Sequence, residues 1–509
     1  MPSSSKHVAV VIVGGGPVGL SLAIGLRHFG VDCVLVEKHA STLGFPKGRV
    51  VNPRSMEIFS QWGVADRIHA QGVEIEPATF GFLGETLLAS EFRRIEFAEP
   101  LSTPMSPQEW VLCPQERVER ALREAAEEAD ADVRFGHRFV SFTSENDSVV
   151  AHIVDARGEP IELRCDYLVA ADGSRGAIGP SLGIGFEGPG VVGESISILV
   201  DAPLRERIAD RVSVLYGVQR PRPGGGFAMV DNDRQWLLML PRDVEHEPPE
   251  SFTPDRCVEL VAAAIGDDSV PITYLGHRLW QPTARWASAM SAGRIFLAGD
   301  AAHSTTPAGG LGMNAGVADA GNLAWKLAWV LRCQADAALL DSYDLERRPA
   351  ARRSAEASLA IGAAVREPGA RRSALGVTLG IEYESPTITP DGTTATRLAD
   401  GIHDYEPTAR PGGRAPHVRL ADGASTLDMF GSEFVVVVRD DYGMTSHLQN
   451  EIGGLARVAE IPASAADAYG ISGGGFVLVR PDGYVAARGR NSDASARDIV
   501  AAWHRAVGR

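Results

Sequence analysis

Cysteine is scarce in this chain of 509 residues. Five occur, Cys33, Cys113, Cys165, Cys257 and Cys333, and each lies more than 50 residues from the next. None forms a Cys-x-x-Cys pair or a zinc spacing, and the odd number argues against a disulfide framework. Buried, reduced thiols in a cytoplasmic protein are the expectation. The histidines show no ligand spacing either, so no metal is expected. Basic residues are outnumbered 49 to 65, a formal net charge of −16. A field of that sign repels phosphate backbones and anionic lipid, which makes nucleic acid and membrane surfaces poor partners. Internal repeats and low-complexity tracts are missing. One uncharged stretch, Val8 to Leu26, is long enough for a membrane helix. Gly14-Gly15-Gly16-Pro17 breaks it in the middle, and its flanks lack the basic lead and small-residue cleavage site of a signal peptide. A strand, a turn and a helix are expected there.

What remains is ordinary globular composition, 44% apolar and 22% charged, which excludes a wholly disordered chain. The length suits roughly three domains at about 150 residues each. Glycine is abundant, at 55 residues, and its placement carries information. His7–Val13 is a β-branched run suited to a strand buried on both faces. Val18–Phe29 has helical apolar spacing, and Val31–Glu37 reads as a second strand. Helices are expected at 54–63, 116–129, 312–331 and 343–364. Strands are expected at 166–171 and 294–298, and short alternating strands within 186–275 suit a sheet with one solvated face. Residues 383–415 read as a linker or wrapping loop. Apolar strands at 433–438 and 475–479, a Pro481-Asp482-Gly483 turn, a strand and a last helix form a small α/β unit.

Gly14-Gly15-Gly16-Pro17-Val18-Gly19 fits G-x-G-x-x-G between a strand and a helix. Gly14 allows the tight turn, Gly16 lets the backbone approach a pyrophosphate, and Gly19 lets the helix pack on the strand. Glu37 ends the second strand, 18 residues beyond Gly19. A carboxylate there accepts hydrogen bonds from adenosine ribose hydroxyls and disfavours a 2′-phosphate. Lys38 follows it and joins the expected cofactor contacts. The motif alone does not separate FAD from NAD.

A second constellation lies near residue 300. The chain reads Gly299-Asp300-Ala301-Ala302-His303, then Pro307-Ala308-Gly309-Gly310-Leu311-Gly312-Met313-Asn314. A carboxylate at a strand end can hold a ribityl hydroxyl, and free N–H groups at a helix start can stabilise negative charge on a reduced flavin. These residues resemble the G-D-A-A-H-x-x-P-P-x-G-G-x-G-x-N signature of class A FAD-dependent aromatic monooxygenases, with Thr306 at the first proline. The resemblance implies that Asp300 binds the ribityl chain and that the backbone of Gly312, Met313 and Asn314 faces the flavin ring. Pro46-Lys47-Gly48-Arg49 and Asn52-Pro53-Arg54 resemble the family's segment after the second strand, where Arg49 lies by the FAD. Gln115 with Glu119 and Arg120 resembles a Q-x-x-x-E-R helix start, whose glutamine bonds the ribityl chain. The implied cofactor set is Gly14, Gly16, Pro17, Val18, Gly19, Glu37, Lys38, Arg49, Gln115, Asp172, Gly299, Asp300, Pro307, Gly310, Gly312, Met313 and Asn314.

One fingerprint departs from the family. Its D-G-x-x-S-x-x-R motif touches both the FAD pyrophosphate and the incoming nicotinamide cofactor. Here Asp172 and Gly173 stand, but Gly176 replaces the serine and Gly179 the arginine, with Arg175 four residues early. FAD binding survives this change, whereas reduction by NAD(P)H is put in question. Arg49, Pro307 and His303 are the catalytic candidates. His303 reads chiefly as framework, and no general base stands out. Tyr216, Phe227, Met229 and Trp236 are candidate walls of the substrate pocket, with plain core as the competing reading.

The C-terminal stretch, with Arg414-Ala415-Pro416-His417, Asp428-Met429-Phe430-Gly431 and Arg480-Pro481-Asp482-Gly483-Tyr484, resembles the thioredoxin-like appendage of the phenol-hydroxylase and aromatic-polyketide-hydroxylase branch. The fold expected is α/β. A Rossmann-like FAD domain (1–185 and 276–382) is interrupted by an antiparallel-sheet substrate domain (186–275). A linker (383–415) and a thioredoxin-like domain (416–509) follow. The function implied is hydroxylation of an electron-rich phenolic or polyketide-like aromatic through a flavin C4a-hydroperoxide. Bound FAD would serve as cofactor, with NAD(P)H and O2 as co-substrates and a monomer or homodimer as the working form. The rival readings are oxidation or Baeyer–Villiger insertion on a polycyclic natural product with weak NAD(P)H dependence, and a flavoprotein scaffold or binding module. A flavin halogenase is disfavoured, since W-x-W-x-I-P does not occur.

Overall fold

A computed structural model of the protein describes residues 6–42, 44–73, 79–96, 105–213, 215–231, 233–364, 371, 374–394, 398, 400–439, 445–490 and 495–509. The opening β-branched run forms the strand Lys6–Val13, in which Val10, Val11 and Ile12 are wholly enclosed. It stands inside an eight-stranded sheet. In order across that sheet lie Ser291–Ala292, Ile295–Leu297, Pro160–Ala170, Lys6–Val13, Cys33–Glu37 and Asp132–Phe135. The last five run parallel. Arg138–Ser144 and Val149–Val154 extend Pro160–Ala170 as an antiparallel flap.

Register is what positions the site. Val13 lies opposite both Ala170 and Val36, and Ala170 opposite Leu297, so four parallel strands end flush. Gly14, Glu37, Asp172 and Asp300 therefore leave the sheet along one edge. In an open parallel sheet that edge, where the strand order reverses direction, is where ligands bind.

Helix Pro17–His28 packs against helix Leu311–Leu331 closely enough that a Cβ on Gly25 would come within 2.9 Å of the Ala324 Cβ. Leu311–Leu331 is buried on nearly every side and centres on Trp325 and Trp329. A helix apolar all round belongs in a core. Among the described residues no helix is long and apolar enough to cross a membrane, and no cluster of His, Cys, Asp and Glu is suited to a metal ion.

A seven-stranded sheet forms the second layer. Its order is Thr273–Trp280, Ser195–Asp201, Gln235–Pro241, Gly225–Met229, Leu215–Val218, Thr79–Gly84, Phe92–Glu96. The expectation that 186–275 supplies this sheet needs correction. Two strands come from 79–96, the edge strand continues to Trp280, and Phe186–Val191 pairs instead with Thr283–Ala287 in a separate three-stranded sheet. Nor is the sheet wholly antiparallel, because Leu215–Val218 runs parallel to Thr79–Gly84. Gly81 makes that pairing possible: a Cβ there would stand 2.3 Å from the Leu215 carbonyl oxygen. Alternation sends Tyr216, Phe227, Met229 and Trp236 to the face that packs against helix Pro254–Ile265. Leu199, Ala228, Val230 and Leu237 take the other face, with Phe45 against them.

The C-terminal sheet has the order Arg457–Ile461, Val435–Arg439, Phe476–Val479, Val485–Gly489. The first pair is parallel and the others antiparallel. Residues 383–415 wrap rather than hang free, since Tyr383, Ile388, Ala409 and Arg414 are buried. Residues 395–397 and 399 of that stretch lie outside the described residues. Four cysteines are buried as expected, and burial pushes the thiols of Cys33, Cys113 and Cys165 up to about 12. Cys333 departs from the expectation, being exposed where helix Leu311–Leu331 gives way to a turn.

Candidate functional site

The glycine turn is fixed by close approaches. Gly14 has φ +116° and donates its N–H to Val36 O at 2.8 Å. A Cβ on Gly14 would stand 2.2 Å from Ala171 O, and one on Gly19 only 2.0 Å from Gly14 O. Packing thus requires both. Gly16 differs: nothing lies within 4 Å of where its Cβ would stand. It opens helix Pro17–His28 without a side-chain cap, leaving N–H groups free for an anion. Pro17 takes the first helical turn, and Val18 packs on Gly299, tying the two fingerprints together.

Glu37 is spent partly on this turn. One carboxylate oxygen accepts from Gly15 N and the other from His39 N, each at 2.8 Å. Both oxygens keep lone pairs for ribose hydroxyls. Lys38 is exposed beside it and faces Asp172 electrostatically.

Asp172 caps a short helix with one oxygen, which accepts from Ala177 N at 2.9 Å and Ile178 N at 3.3 Å. Its other oxygen is buried and unpartnered, and burial pushes the carboxyl up. Above neighbouring Gly173 the space is open. Asp300 reaches solvent yet is surrounded by protein, the signature of a group at the floor of a cleft. That crowding raises its pKa, against the opposing pull of His303, Lys47 and Arg285. Arg285 itself donates to Ser174 O at 2.5 Å and lies 4.0 Å over the Phe186 ring.

The end expected to face the flavin ring is drawn together by backbone. Gly48 and Gln115 exchange bonds: Gln115 N donates to Gly48 O at 2.8 Å and Gly48 N to Gln115 Oε1 at 3.2 Å. Arg49 Nη1 donates to Met229 O at 2.7 Å, bridging this segment to the seven-stranded sheet. Burial lowers the Arg49 pKa to about 10, opposed by Glu116 and Tyr216, so it stays cationic. Gly309 and Gly310 both have positive φ and turn the chain into helix Leu311–Leu331. Asn314 donates to Val50 O and Gly310 O at 2.8 and 2.7 Å, and accepts from Asn52 N and Ser55 Oγ. Gly312 and Met313 lie half-buried in the same first turn, and Pro307 is exposed just before it.

His303 is fully enclosed, with Nε2 2.7 Å from Asp319 Oδ2. It belongs to the support of the turn rather than to its open side. Tyr216, Phe227, Met229 and Trp236 are likewise enclosed. The Tyr216 hydroxyl accepts from Ser213 N and donates to Arg211 O, and Phe227 and Tyr216 lie 5.7 and 6.1 Å from Trp236. The structure brings these four together as sheet core, joined to the cofactor edge through the Met229 carbonyl.

The FAD binding domain family matches residues 7–358, and the aromatic-ring hydroxylase C-terminal family matches 408–509. The chain belongs to the FAD-dependent aromatic-ring hydroxylases. Among curated relatives of this hydroxylase, tetracenomycin A2 monooxygenase-dioxygenase of Streptomyces glaucescens is 33% identical over 95% of this chain and 94% of its own. Aklavinone 12-hydroxylase RdmE of Streptomyces purpurascens is 34% identical over 98% and 97%. Among solved structures, the ternary complex of aklavinone-11 hydroxylase with FAD and aklavinone superposes with a TM-score of 0.88 at 31% identity, covering 100% of both chains. The flavin-dependent monooxygenase PieE, in complex with FAD and substrate, gives 0.89 at 27% identity, covering 99% of this chain and 100% of PieE.

The residues of this hydroxylase fit FAD. The open space at Gly16 and Gly173 leaves room for phosphates, and the unpartnered Asp172 oxygen and the carboxylate of Asp300 are acceptors available to hydroxyl donors. Two residues escaped the sequence reading, Asp319, which supports the Asp300 turn, and Arg285; Arg347, which holds Asp319, stands in a Glu346-Arg347-Arg348-Pro349 run that resembles a structural landmark closing the family's FAD domain. A signal for the first existed. In an otherwise apolar helix, Asp319 and Lys326 are the sole charges, and charges in a core require partners.

Proposed function

We propose that the protein is a monooxygenase that places one oxygen atom of O2 on an electron-rich, polyketide-like aromatic ring, with FAD as cofactor and NAD(P)H as reductant. The observation that carries this is the flush edge of four parallel strands, where Gly14–Gly19, Glu37, Asp172 and Asp300 meet, in a chain of the aromatic-ring hydroxylase family. When bound, FAD supplies the redox chemistry that activates O2. Glu37 orients the adenosine ribose. Gly16 and the N-terminus of Pro17–His28 hold the pyrophosphate, with Asp172 beside it. Asp300 and Gln115 hold the ribityl chain. Arg49 keeps a positive charge at the ring end and ties that end to the seven-stranded sheet through Met229. The free N–H groups at the start of Leu311–Leu331 face developing negative charge. The sheet and the Pro46–Val50 segment exclude water from the space between them.

Rossmann-like describes the FAD-binding unit, and the parallel strands with the glycine turn support that reading. Thioredoxin-like describes the C-terminal unit. The strand order with one parallel and two antiparallel pairings supports it, and without a Cys-x-x-Cys its use is structural. Widely spaced thiols support a cytoplasmic setting, for a monomer or a homodimer.

Purified protein should be yellow, oxidise NADPH when a polycyclic phenol is added, and yield a product heavier by one oxygen. Bound FAD with no NADPH consumption across such substrates would reject the hydroxylase reading. Gly176 and Gly179 favour a second reading, oxidation or Baeyer–Villiger insertion on a polycyclic natural product with weak NAD(P)H dependence. Slow flavin reduction by NADPH, unchanged by substrate, would select it.

A further inference from the structure

Behind the Asp300 turn lies a run of enclosed charges that the proposed chemistry leaves unused. Asp319 Oδ2 accepts from Gly299 N at 2.9 Å and lies 2.7 Å from His303 Nε2. Its Oδ1 accepts from Arg347 Nε at 2.8 Å. Arg347 spends its fork on two further acceptors, Nη1 donating to Tyr383 Oη at 3.0 Å and Nη2 to Ala315 O at 3.1 Å. The Tyr383 ring stacks on Tyr484 of the C-terminal unit with centroids 4.1 Å apart. Arg480, four residues before Tyr484, lies 5.4 Å from the Tyr383 ring and forks onto Glu346 at 2.8 and 3.0 Å. Glu346 also accepts from Lys326 and Asn322, each at 2.8 Å. Side chains in this run are buried nearly completely.

We propose that Arg347 is a positioning residue for the flavin. Acting through Asp319, it fixes the turn Gly299–His303 and hence the place of Asp300. Through Tyr383 and the stacked Tyr484 it makes the C-terminal unit part of that support. The inference rests on the reading of Asp300 as a flavin contact.

Geometry assigns the role to a guanidinium. Three acceptors in three directions match its planar fork, which an ammonium does not reproduce. Without Arg347 the Asp319 carboxylate stays enclosed with an unpaired oxygen and is free to turn, so the Gly299 N–H loses a fixed acceptor. A fold in need of stability alone is served as well by apolar packing. An ion pair aimed at a turn backbone serves its direction.

The test uses full-length Arg347→Lys, Tyr383→Phe and Tyr484→Leu proteins, with Asp300→Asn as a reference. Apoproteins are titrated with FAD by fluorescence, the midpoint potential of bound FAD is measured, and apoprotein melting is followed. Arg347→Lys should weaken FAD binding by about tenfold and shift the potential, and Tyr383→Phe should weaken it by about threefold. Tyr484→Leu should move both readouts in the same direction. Unchanged FAD affinity and potential in these variants, with only the melting temperature lowered, would overturn the inference. Should Arg347→Lys fail to fold, Tyr383→Phe, which removes one hydroxyl, decides alone. Equal FAD affinity in wild type and Asp300→Asn would overturn the reading of Asp300 instead, leaving the two failures distinct.

Discussion

His303 Nε2 and Asp319 Oδ2 lie 2.7 Å apart with no exposure to solvent, and the same oxygen accepts the Gly299 N–H at 2.9 Å. One carboxylate oxygen thus ties together both ends of the turn that carries Asp300. Burial alone would raise the Asp319 carboxyl, but His303 and Arg347 outweigh it and hold it below the usual carboxylate range. Asp319→Asn removes the charge that Arg347 faces in a dry core. We expect a loss of about 3–5 kcal/mol in unfolding free energy, read from urea melts. A loss below about 1 kcal/mol would mean the pair is solvated in solution.

Gly176 bears on the nicotinamide question. A Cβ there would stand 2.1 Å from Asp172 Oδ1 and 2.3 Å from its Cγ, while the other Asp172 oxygen is fixed on two backbone N–H groups. Restoring the family serine by Gly176→Ser therefore displaces Asp172. The expected cost is about 1–3 kcal/mol of stability. Flavin reduction by NADPH, followed by stopped flow, should be no faster. A faster reduction would show that the missing serine is what limits it.

Local features were legible in the sequence because their physics is local. The turn Gly14–Gly19 is set by glycine sterics within one strand–helix junction, and Glu37 follows from the length of a βαβ unit. Features built by distant partners were not. Lys326, Glu346 and Arg480 meet across separations of 20 and 134 residues, and no spacing rule announces such a pairing. The strand Thr79–Gly84 was missed for another reason. Its two glycines weaken the strand pattern, and one of them exists to let a parallel neighbour approach. The aromatic residues at 216, 227 and 236 were recognisable as a set, but which face of the sheet they occupy depends on helix Pro254–Ile265, placed by tertiary packing.

The buried network predicts a sign for the pH dependence of stability. Burial pushes Glu346 and Glu57 up, but Arg480 with Lys326 and Arg414 with Arg54 outweigh it, holding both carboxyls below the ordinary range. Their folded pKa values are therefore lower than the unfolded ones. The unfolded chain binds more protons once pH falls below about 4.5, so the stability these groups confer is present above that pH and is lost progressively beneath it. Thermal melts should stay level near about pH 6 and fall steeply below about pH 4.5. Glu346→Gln, which strands Lys326 and leaves Arg480 with Asp482 as its remaining carboxylate, should melt lower at neutral pH and show a shallower acid slope. An unaltered slope would place the acid sensitivity elsewhere.

Gly16 and Gly19 separate cofactor binding from folding within one motif. At Gly16, φ is −78° and nothing stands within 4 Å of a Cβ, so the apoprotein has room for a side chain there without backbone strain. That room is where the pyrophosphate is to lie against the helix N-terminus. Gly16→Val should leave apoprotein stability within about 0.5 kcal/mol of wild type while weakening FAD binding by well over tenfold. Gly19→Ala should do the reverse in order of cause. Its Cβ meets Gly14 O at 2.0 Å, so the helix is pushed off the turn, stability falls by about 1–3 kcal/mol, and FAD binding suffers as a consequence. Calorimetry of the two apoproteins beside FAD titrations distinguishes them. If Gly16→Val binds FAD as tightly as wild type, the phosphates do not sit on this turn, and the cofactor path along the strand edge has to be redrawn from Asp172 and Asp300.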